Sequence, residues 1–252
     1  MTEASTAKTP AIKTKDRIIV ALDVETADTA REIVDEIGNE IGALKIGLQL
    51  FTAAGLAFVR ELTDSGRKVF LDLKFHDIPN TVAGASVEAA RLDVWMFNMH
   101  AGGGREMMSM AAEAVQEFCD REGREKPLMI GVTLLTSSNA ETLKDLGIGV
   151  TVEEYVVRLA RDTAASGLDG VVASPVEAAA IRDSIGAADF VIVTPGIRPN
   201  NETRDDQKRV TTPAEALAAG SDYLVIGRPI TSVPDKQAAV RKIIEDIDQA
   251  NK

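Results

Sequence analysis

The segment Val69-Phe70-Leu71 runs directly into Asp72-Leu73-Lys74-Phe75-His76-Asp77-Ile78-Pro79-Asn80-Thr81. The apolar run is typical of a buried strand, and the proline indicates that a loop follows it. On an extended chain Asp72 and Lys74 project to the same face, because side chains alternate along a strand. Unpaired buried charge is costly, so packing alone gives no reason for this cluster. The segment therefore predicts a strand whose end carries functional charges.

Similar apolar runs alternate with amphipathic segments along the rest of the chain. The predicted strands are residues 17–23, 43–47, 68–73, 94–100, 128–134, 170–173, 190–194 and 223–226. The predicted helices are residues 29–37, 50–65, 82–92, 104–121, 152–166, 176–185, 213–219 and 236–248. Eight βα units predict an α/β fold, a (β/α)8 TIM barrel that forms one catalytic domain over residues 16–252. An open doubly wound sheet is the alternative, but no glycine-rich fingerprint follows the first strand.

Composition excludes several classes of protein. The formal net charge of −11 argues against sequence-independent binding of nucleic acid, which needs a basic face. A single cysteine, Cys119, cannot form an intrachain disulfide and fits a reducing compartment, so we expect a cytoplasmic protein. No apolar run approaches the ~18 residues that span a membrane. Residues 1–15 are polar, lack the apolar region of a signal peptide, and are predicted to be a disordered extension.

Polar side chains recur where the predicted strands end. In a barrel these ends converge on one face, where active sites are built. Single charged residues at strand ends are often solvated rim residues, but a set drawn from seven strands is hard to attribute to chance. The set comprises Asp23, Lys45, Asp72, Lys74, His100, Thr136, Arg198 and Arg228.

The loops after the last two strands predict a phosphate site. They read Thr194-Pro195-Gly196-Ile197-Arg198-Pro199 and Gly227-Arg228-Pro229-Ile230. Glycine lets a backbone approach a ligand closely, arginine offers a two-pronged donor to phosphate oxygens, and a following helix start adds N–H donors. The long polar stretch 199–209 between them is predicted to be a lid over this site.

The two histidines and the possible metal ligands give weaker signals. His76 and His100 are expected to be mainly structural groups. No set of His, Cys, Asp and Glu has the spacing of a metal site. The paired aspartates could hold Mg²⁺, but Lys74 between them competes for the same electrostatic role.

These residues together resemble the orotidine 5′-phosphate decarboxylase family over about residues 17–241. The Asp72, Lys74, Asp77 pattern with its tail Ile78-Pro79-Asn80-Thr81 is specific to that family. Further motifs are Ala21-Leu22-Asp23, Leu44-Lys45-Ile46-Gly47, Asn98-Met99-His100-Ala101, Val132-Thr133-Leu134-Leu135-Thr136-Ser137, Thr194-Pro195-Gly196-Ile197-Arg198 and Ile226-Gly227-Arg228. Trp95 and Gly102 depart from the pattern, where the family favours Asp and Ser.

The resemblance implies decarboxylation of orotidine 5′-monophosphate (OMP) to UMP and CO₂, the last step of de novo pyrimidine synthesis, without a cofactor. It implies that Lys74 protonates C6 of the pyrimidine, that Asp72 faces the substrate carboxylate, and that Lys45 and Asp77 complete a network of alternating charge. It also implies a homodimer in which the partner subunit supplies Asp77 and Thr81. The implied contacts to ribose are Asp23 and Lys45, the contact to the pyrimidine edge is Thr136, and those to phosphate are Arg198, Gln207, Gly227 and Arg228.

Two other functions remain open from the sequence. A Mg²⁺-dependent aldolase or decarboxylase of sugar phosphates, such as hexulose-phosphate synthase, shares the Asp-x-Lys-x-x-Asp pattern on the same barrel. The tail 78–81 and the Thr136 motif argue against it. A non-catalytic barrel that binds nucleotide phosphate would keep Arg198 and Arg228 but has no reason to keep Lys74 between two aspartates.

Overall fold

The computed structural model describes residues 12–199 and 211–250 of the chain. Eight parallel strands close into a barrel in chain order, which confirms the predicted (β/α)8 fold. The strands are β1 (Ile18–Ala21), β2 (Ala43–Gly47), β3 (Val69–Phe75), β4 (Met96–His100), β5 (Leu128–Val132), β6 (Gly170–Val172), β7 (Val191–Thr194) and β8 (Tyr223–Ile226). Within the described ranges, no helix is long and apolar enough to cross a membrane.

Helices cover the outside of the barrel. They are α1 (Ala27–Ile37), α2 (Leu48–Asp64), α3 (Pro79–Arg91), α4 (Arg105–Glu122), α5 (Ala140–Asp145), α6 (Val152–Ala165), α7 (Ala178–Ile185), α8 (Pro213–Ala218), α9 (Arg228–Thr231) and α10 (Lys236–Ala250). Side-chain caps start several of them: the Thr212 hydroxyl accepts from the Glu215 N–H, and the Glu215 carboxylate accepts from the Thr212 N–H at 3.0 Å.

Apolar side chains of the strands pack in two layers, because a parallel sheet in a barrel is buried on both faces. Ile19, Phe70, Met96 and Val193 belong to the cluster that fills the barrel interior. Neighbouring residues such as Val20 belong to a separate cluster with the helices. The strand period of two therefore explains why each strand reads as a nearly continuous apolar run.

The sequence placed every strand but not every element end. Residues 43–47 and 223–226 match β2 and β8, whereas β3 continues two residues beyond the predicted end and β5 stops two residues earlier than predicted. The short helices α5 and α9 were not predicted, because six and four residues carry too little periodicity. The disordered extension was predicted to reach Lys15, but Thr14–Arg17 forms a 3-10 helix; residues 1–11 lie outside the described part.

Gly170 in β6 allows a comparison of two glycine substitutions. A Cβ at Gly170 would lie 2.2 Å from the backbone oxygen of Val191 on β7, whereas a Cβ at Gly149 would meet nothing within 4 Å. We expect Gly170→Ala to lower the free energy of unfolding by ~1–3 kcal/mol, as overpacking does. Gly149→Ala should leave it unchanged or raise it by up to ~1 kcal/mol. Urea unfolding followed by circular dichroism tests both, and equal values for the two variants would contradict the steric account.

Candidate active site

The carboxyl ends of the strands surround one open cavity of about 660 Å³. Apolar side chains from inside the barrel line part of it, among them Phe70, Val172 and Val225. The structure brings together eight of the predicted site residues along its wall: Asp23, Lys45, Asp72, Lys74, Thr136, Arg198, Gly227 and Arg228. Residues far apart in sequence therefore line the same cavity.

Four of these residues form a chain of alternating charge. The Lys74 ammonium donates to Asp72 Oδ1 at 2.6 Å, and Lys45 Nζ lies 3.3 Å from Asp72 Oδ2. Lys45 Nζ also donates to Asp23 Oδ1 at 3.0 Å. Asp23 is mostly exposed, whereas the Lys45 and Asp72 side chains are 9% and 12% exposed. The alternating charges thus begin at the rim of the cavity with Asp23 and continue along its buried wall with Lys45 and Asp72. They end at Lys74, whose side chain is 27% exposed.

Mutual attraction keeps Asp72 and Lys45, the two most buried of these four charged residues, in their charged forms. Burial alone would raise the pKa of Asp72, but attraction to Lys45 and Lys74 and hydrogen bonds from Lys74 and Asn98 outweigh burial and lower it. Burial alone would lower the pKa of Lys45, but Asp72 and Asp23 outweigh burial and raise it.

The backbone at Lys74 is irregular, although it belongs to β3. Its φ is +53°, in the left-handed region that non-glycine residues rarely adopt. The pairing of β3 with β4 also shifts register between Leu71 and Phe75. Asp72 and Lys74 do meet as predicted, but regular strand alternation is not the reason, since the strand is bulged where they stand.

Gly47 at the end of β2 leaves room for the Lys45 ammonium. A Cβ at this position would lie 2.9 Å from Lys45 Nζ and 3.2 Å from Asp23 Oδ1. Its φ of −94° and ψ of −179° suit any residue, so space and not backbone conformation requires glycine here.

Two arginines stand at the cavity, Arg198 on the loop that follows β7 and Arg228 at the start of α9 after β8. The Arg198 N–H donates to the Thr211 carbonyl at 3.1 Å, and Ile197 and Thr211 form an isolated bridge. Residues 199 and 211, at the ends of the two described ranges, therefore both lie beside Arg198. Gln207 and residues 200–209 of the predicted lid lie outside the described residues.

Asp77 and Thr81 do not join the cavity of their own subunit. Both are exposed and neither lines it. Asp77 Oδ1 accepts a hydrogen bond from the Ile78 N–H at 2.7 Å, and Thr81 lies in the first turn of α3. A single chain thus leaves two of the predicted site residues outside the charge cluster.

The two histidines pack against each other, with His76 exposed at the surface. Their ring centroids are 5.2 Å apart, and neither lines the cavity. Burial lowers the pKa of His100, and repulsion from His76 and Lys74 lowers it further.

The structure also adds a residue that the sequence did not single out. Asn98 on β4 is fully buried and contacts both Asp72 and Lys74. An amide inside the apolar run Met96-Phe97-Asn98-Met99 was the available signal, because buried polar groups need partners.

No three His, Cys, Asp or Glu side chains within residues 12–199 and 211–250 are grouped as metal ligands.

Comparison with known proteins agrees with the geometry of the site. The model of the Orotidine 5′-phosphate decarboxylase / HUMPS family matches residues 16–243. The chain belongs to this family. A protein of Syntrophotalea carbinolica named orotidine 5′-phosphate decarboxylase is 52% identical over 239 residues, which are 95% of this chain and 98% of that protein. A protein of Geobacter metallireducens with the same name is 53% identical and covers 92% of this chain and 96% of its own length.

Solved structures of the family share the fold. A crystal structure of orotidine 5′-phosphate decarboxylase from Lactobacillus acidophilus has a TM-score of 0.81 and 35% identity, and the match covers 92% of this chain and 98% of that one. The match of the orotidine 5′-phosphate decarboxylase family to this chain therefore rests on sequence and on fold over nearly the whole chain.

Gly47 gives a direct test of how Lys45 is held. We expect Gly47→Ala to fold, since its backbone conformation is ordinary, but to lose at least one of the 3.0 and 3.3 Å contacts of Lys45 Nζ. Crystal structures of the variant and of Gly102→Ala measure this, because a Cβ at Gly102 on the same face meets nothing within 4 Å. Retention of both contacts in Gly47→Ala would show that the backbone yields instead.

Proposed function

We propose that this chain decarboxylates OMP to UMP and CO₂, the last step of de novo pyrimidine synthesis. The observation that carries the proposal is the alternating chain from Asp23 to Lys74, set in a cavity that also holds two arginines. Several relatives at about half identity bear the name of this enzyme.

The charges that line the cavity suit this substrate. Four basic and two acidic side chains line it, a balance of +2, although the whole protein carries −11. OMP brings a carboxylate and a phosphate, so an anion of this kind is attracted to the cavity and not to the acidic surface. We assign the phosphate to Arg198, Gly227 and Arg228. The guanidinium groups of the two arginines and the open backbone of the glycine can surround the phosphate oxygens.

Lys74 has the chemistry that the reaction requires. When the bond from C6 to the carboxylate breaks, the electron pair stays on C6, where no conjugated group can accept it. A nearby ammonium stabilises this carbanion by charge and then gives it a proton, which completes UMP. The neutral amine of Lys74 afterwards recovers a proton from water. No cofactor takes part in these steps.

The other residues of the cavity bind and orient the substrate. We assign Asp72 to the place beside the substrate carboxylate, where like charges raise the energy of the bound substrate and loss of CO₂ relieves it. We assign Asp23 and Lys45, joined at 3.0 Å, to the ribose hydroxyls. Thr136 lines the cavity on the loop after β5 and is assigned to the edge of the pyrimidine.

A homodimer with shared sites accounts for Asp77 and Thr81. Both are exposed and lie outside their own cavity, which leaves them available to a second copy. Ile78, beside Asp77, adds an exposed apolar side chain to this surface, with 67% of it exposed. We therefore propose that the partner subunit's Asp77 completes the charge network beside Lys74. We also propose that the protein works in the cytoplasm.

The rival functions fit these observations less well. The matched family includes HUMPS proteins, so the family model alone does not exclude a Mg²⁺-dependent sugar-phosphate enzyme. Eight curated relatives at 48–53% identity are named orotidine 5′-phosphate decarboxylase, which favours that branch. A non-catalytic phosphate-binding barrel gains nothing from an ammonium held 2.6 Å from a buried carboxylate.

Replacement of Lys74 tests the reaction itself. Lys74→Ala should lower the decarboxylation rate by roughly 10⁴-fold or more, since it loses charge stabilisation and the proton, each worth ~3 kcal/mol. The loss of orotidylate absorbance measures the rate, with EDTA present to exclude the metal-dependent rival. Lys68→Ala, just before the other end of β3, is the matched control. Wild-type activity in a Lys74→Ala variant that keeps the native circular dichroism spectrum would refute the assignment.

Mixed dimers test the shared site. Lys74→Ala and Asp77→Ala homodimers should each be nearly inactive. After an equimolar mixture is unfolded and refolded, about half of the dimers should be mixed, and each mixed dimer should hold one site with both groups intact. Activity should therefore return to roughly a quarter of the wild-type value. A refolded mixture as inactive as its parents, beside a wild-type control that recovers, would mean that Asp77 acts within its own chain.

A further inference from the structure

Asn98 occupies an unusual place on β4. Its side chain is 0% exposed, and the strand residues beside it, Met96, Phe97 and Met99, are buried and apolar. An amide without partners would be strongly unfavourable at such a position, because a desolvated polar group needs hydrogen bonds. Its presence there requires hydrogen bonds, and both of them lead to the charge cluster.

The amide fills a gap in the ladder between β3 and β4. Leu71 pairs with Phe97 and Phe75 pairs with Met99, so three residues of β3, numbers 72 to 74, stand opposite Asn98 alone. Asn98 Oδ1 accepts from the Lys74 N–H at 2.8 Å, and Asn98 Nδ2 donates to Asp72 Oδ1 at 2.7 Å. One side chain thus takes the place of the backbone partners that the bulge has lost.

The conformation of Lys74 needs such support. A left-handed backbone is unfavourable for a non-glycine residue and persists only where its surroundings fix it. The hydrogen bond from the Lys74 N–H to Asn98 fixes the peptide that precedes the strained φ of +53°. The second bond of Asn98 fixes the carboxylate that the Lys74 ammonium contacts at 2.6 Å.

We propose that Asn98 is a positioning residue that sets where the Lys74 ammonium stands, by clamping the Lys74 backbone and the Asp72 carboxylate together. Asn98 does not line the cavity, so it acts through these two residues and not on the substrate. The inference rests on the proposed decarboxylation. Its consequence is that the amide affects the chemical step and leaves the phosphate grip unchanged.

Asn98→Ala is the first test, with Thr163→Val as the matched control. Thr163 is also 0% exposed, and the variant loses the buried contacts of its hydroxyl to the Leu159 carbonyl on α6 and to Met108 Sδ, away from the cavity. We expect Asn98→Ala to lower kcat by at least ~10²-fold while KM and the affinity for UMP, measured by calorimetry, stay within about threefold. Thr163→Val should keep kcat. Equal kcat values for the two variants would overturn the proposal.

Asn98→Asp separates positioning from a merely structural role. The carboxylate keeps the acceptor for the Lys74 N–H, but it faces Asp72 with a like charge and no donor. The two carboxylates should titrate as a pair with one raised pKa, and the protonated form can again donate to Asp72. Relative to wild type, the kcat of Asn98→Asp should therefore rise as the pH falls.

The ratio to wild type isolates this effect, because the other titratable groups around the clamp are present in both proteins. These are Lys45, Lys74, Asp72, His76 and His100. A ratio that does not change with pH would contradict the role of the hydrogen bond to Asp72. Crystal structures keep the proposal separate from the proposed function: Lys74 Nζ should leave Asp72 in Asn98→Ala even if the protein proves to act on another substrate, and an unmoved Lys74 would overturn the clamp.

Discussion

A buried carboxylate between two ammonium groups is the constraint on which the site depends. Asp72 cannot be desolvated at this depth unless positive charge meets both of its oxygens. Lys74 meets Oδ1 and Lys45 meets Oδ2, while Asn98 adds a neutral donor. If either lysine were removed, the carboxylate would be left with too little compensation. Asp72, Lys45 and Lys74 therefore require one another and form one charged unit at the wall of the cavity.

The barrel supplies the conditions for this unit. Adjacent parallel strands place Gly47 of β2 beside Asp72 of β3, so the lysine two residues earlier on β2 reaches the carboxylate across the strand pair. Apolar side chains of the interior, including Phe70 and Val225, line the same cavity. Charges at the edge of an apolar interior interact more strongly than charges in water, which is what stabilisation of a carbanion requires.

The sequence predicted those features of the fold that depend on local patterns of apolar and polar residues. Alternating apolar runs give eight strands, and of the eight polar residues expected at the strand ends, seven line the cavity while His100 does not. The bulge at Lys74 was not predictable, because it is set by register against β4, a strand more than twenty residues away. The role of Asn98 follows from the same non-local pairing. Asp77 and Thr81 could be placed only by family resemblance, since nothing in one chain indicates what an exposed rim residue contacts in a second copy.

The directions of the pKa shifts bear on how the site works. The pKa of Asp72 lies below its ordinary value of 3.8, so its contribution to stability is present above pH 3.8 and is lost only as the pH falls through that lowered pKa. The pKa of Lys45 lies above 10.5, so its contribution is present below that pH and is lost as the pH rises through the raised pKa. Between these limits the pair keeps both charges. Asp72 and Lys45 therefore act as a fixed electrostatic frame at neutral pH, and Lys74, which contacts Asp72 at 2.6 Å, is the group that our proposal makes the proton donor to C6.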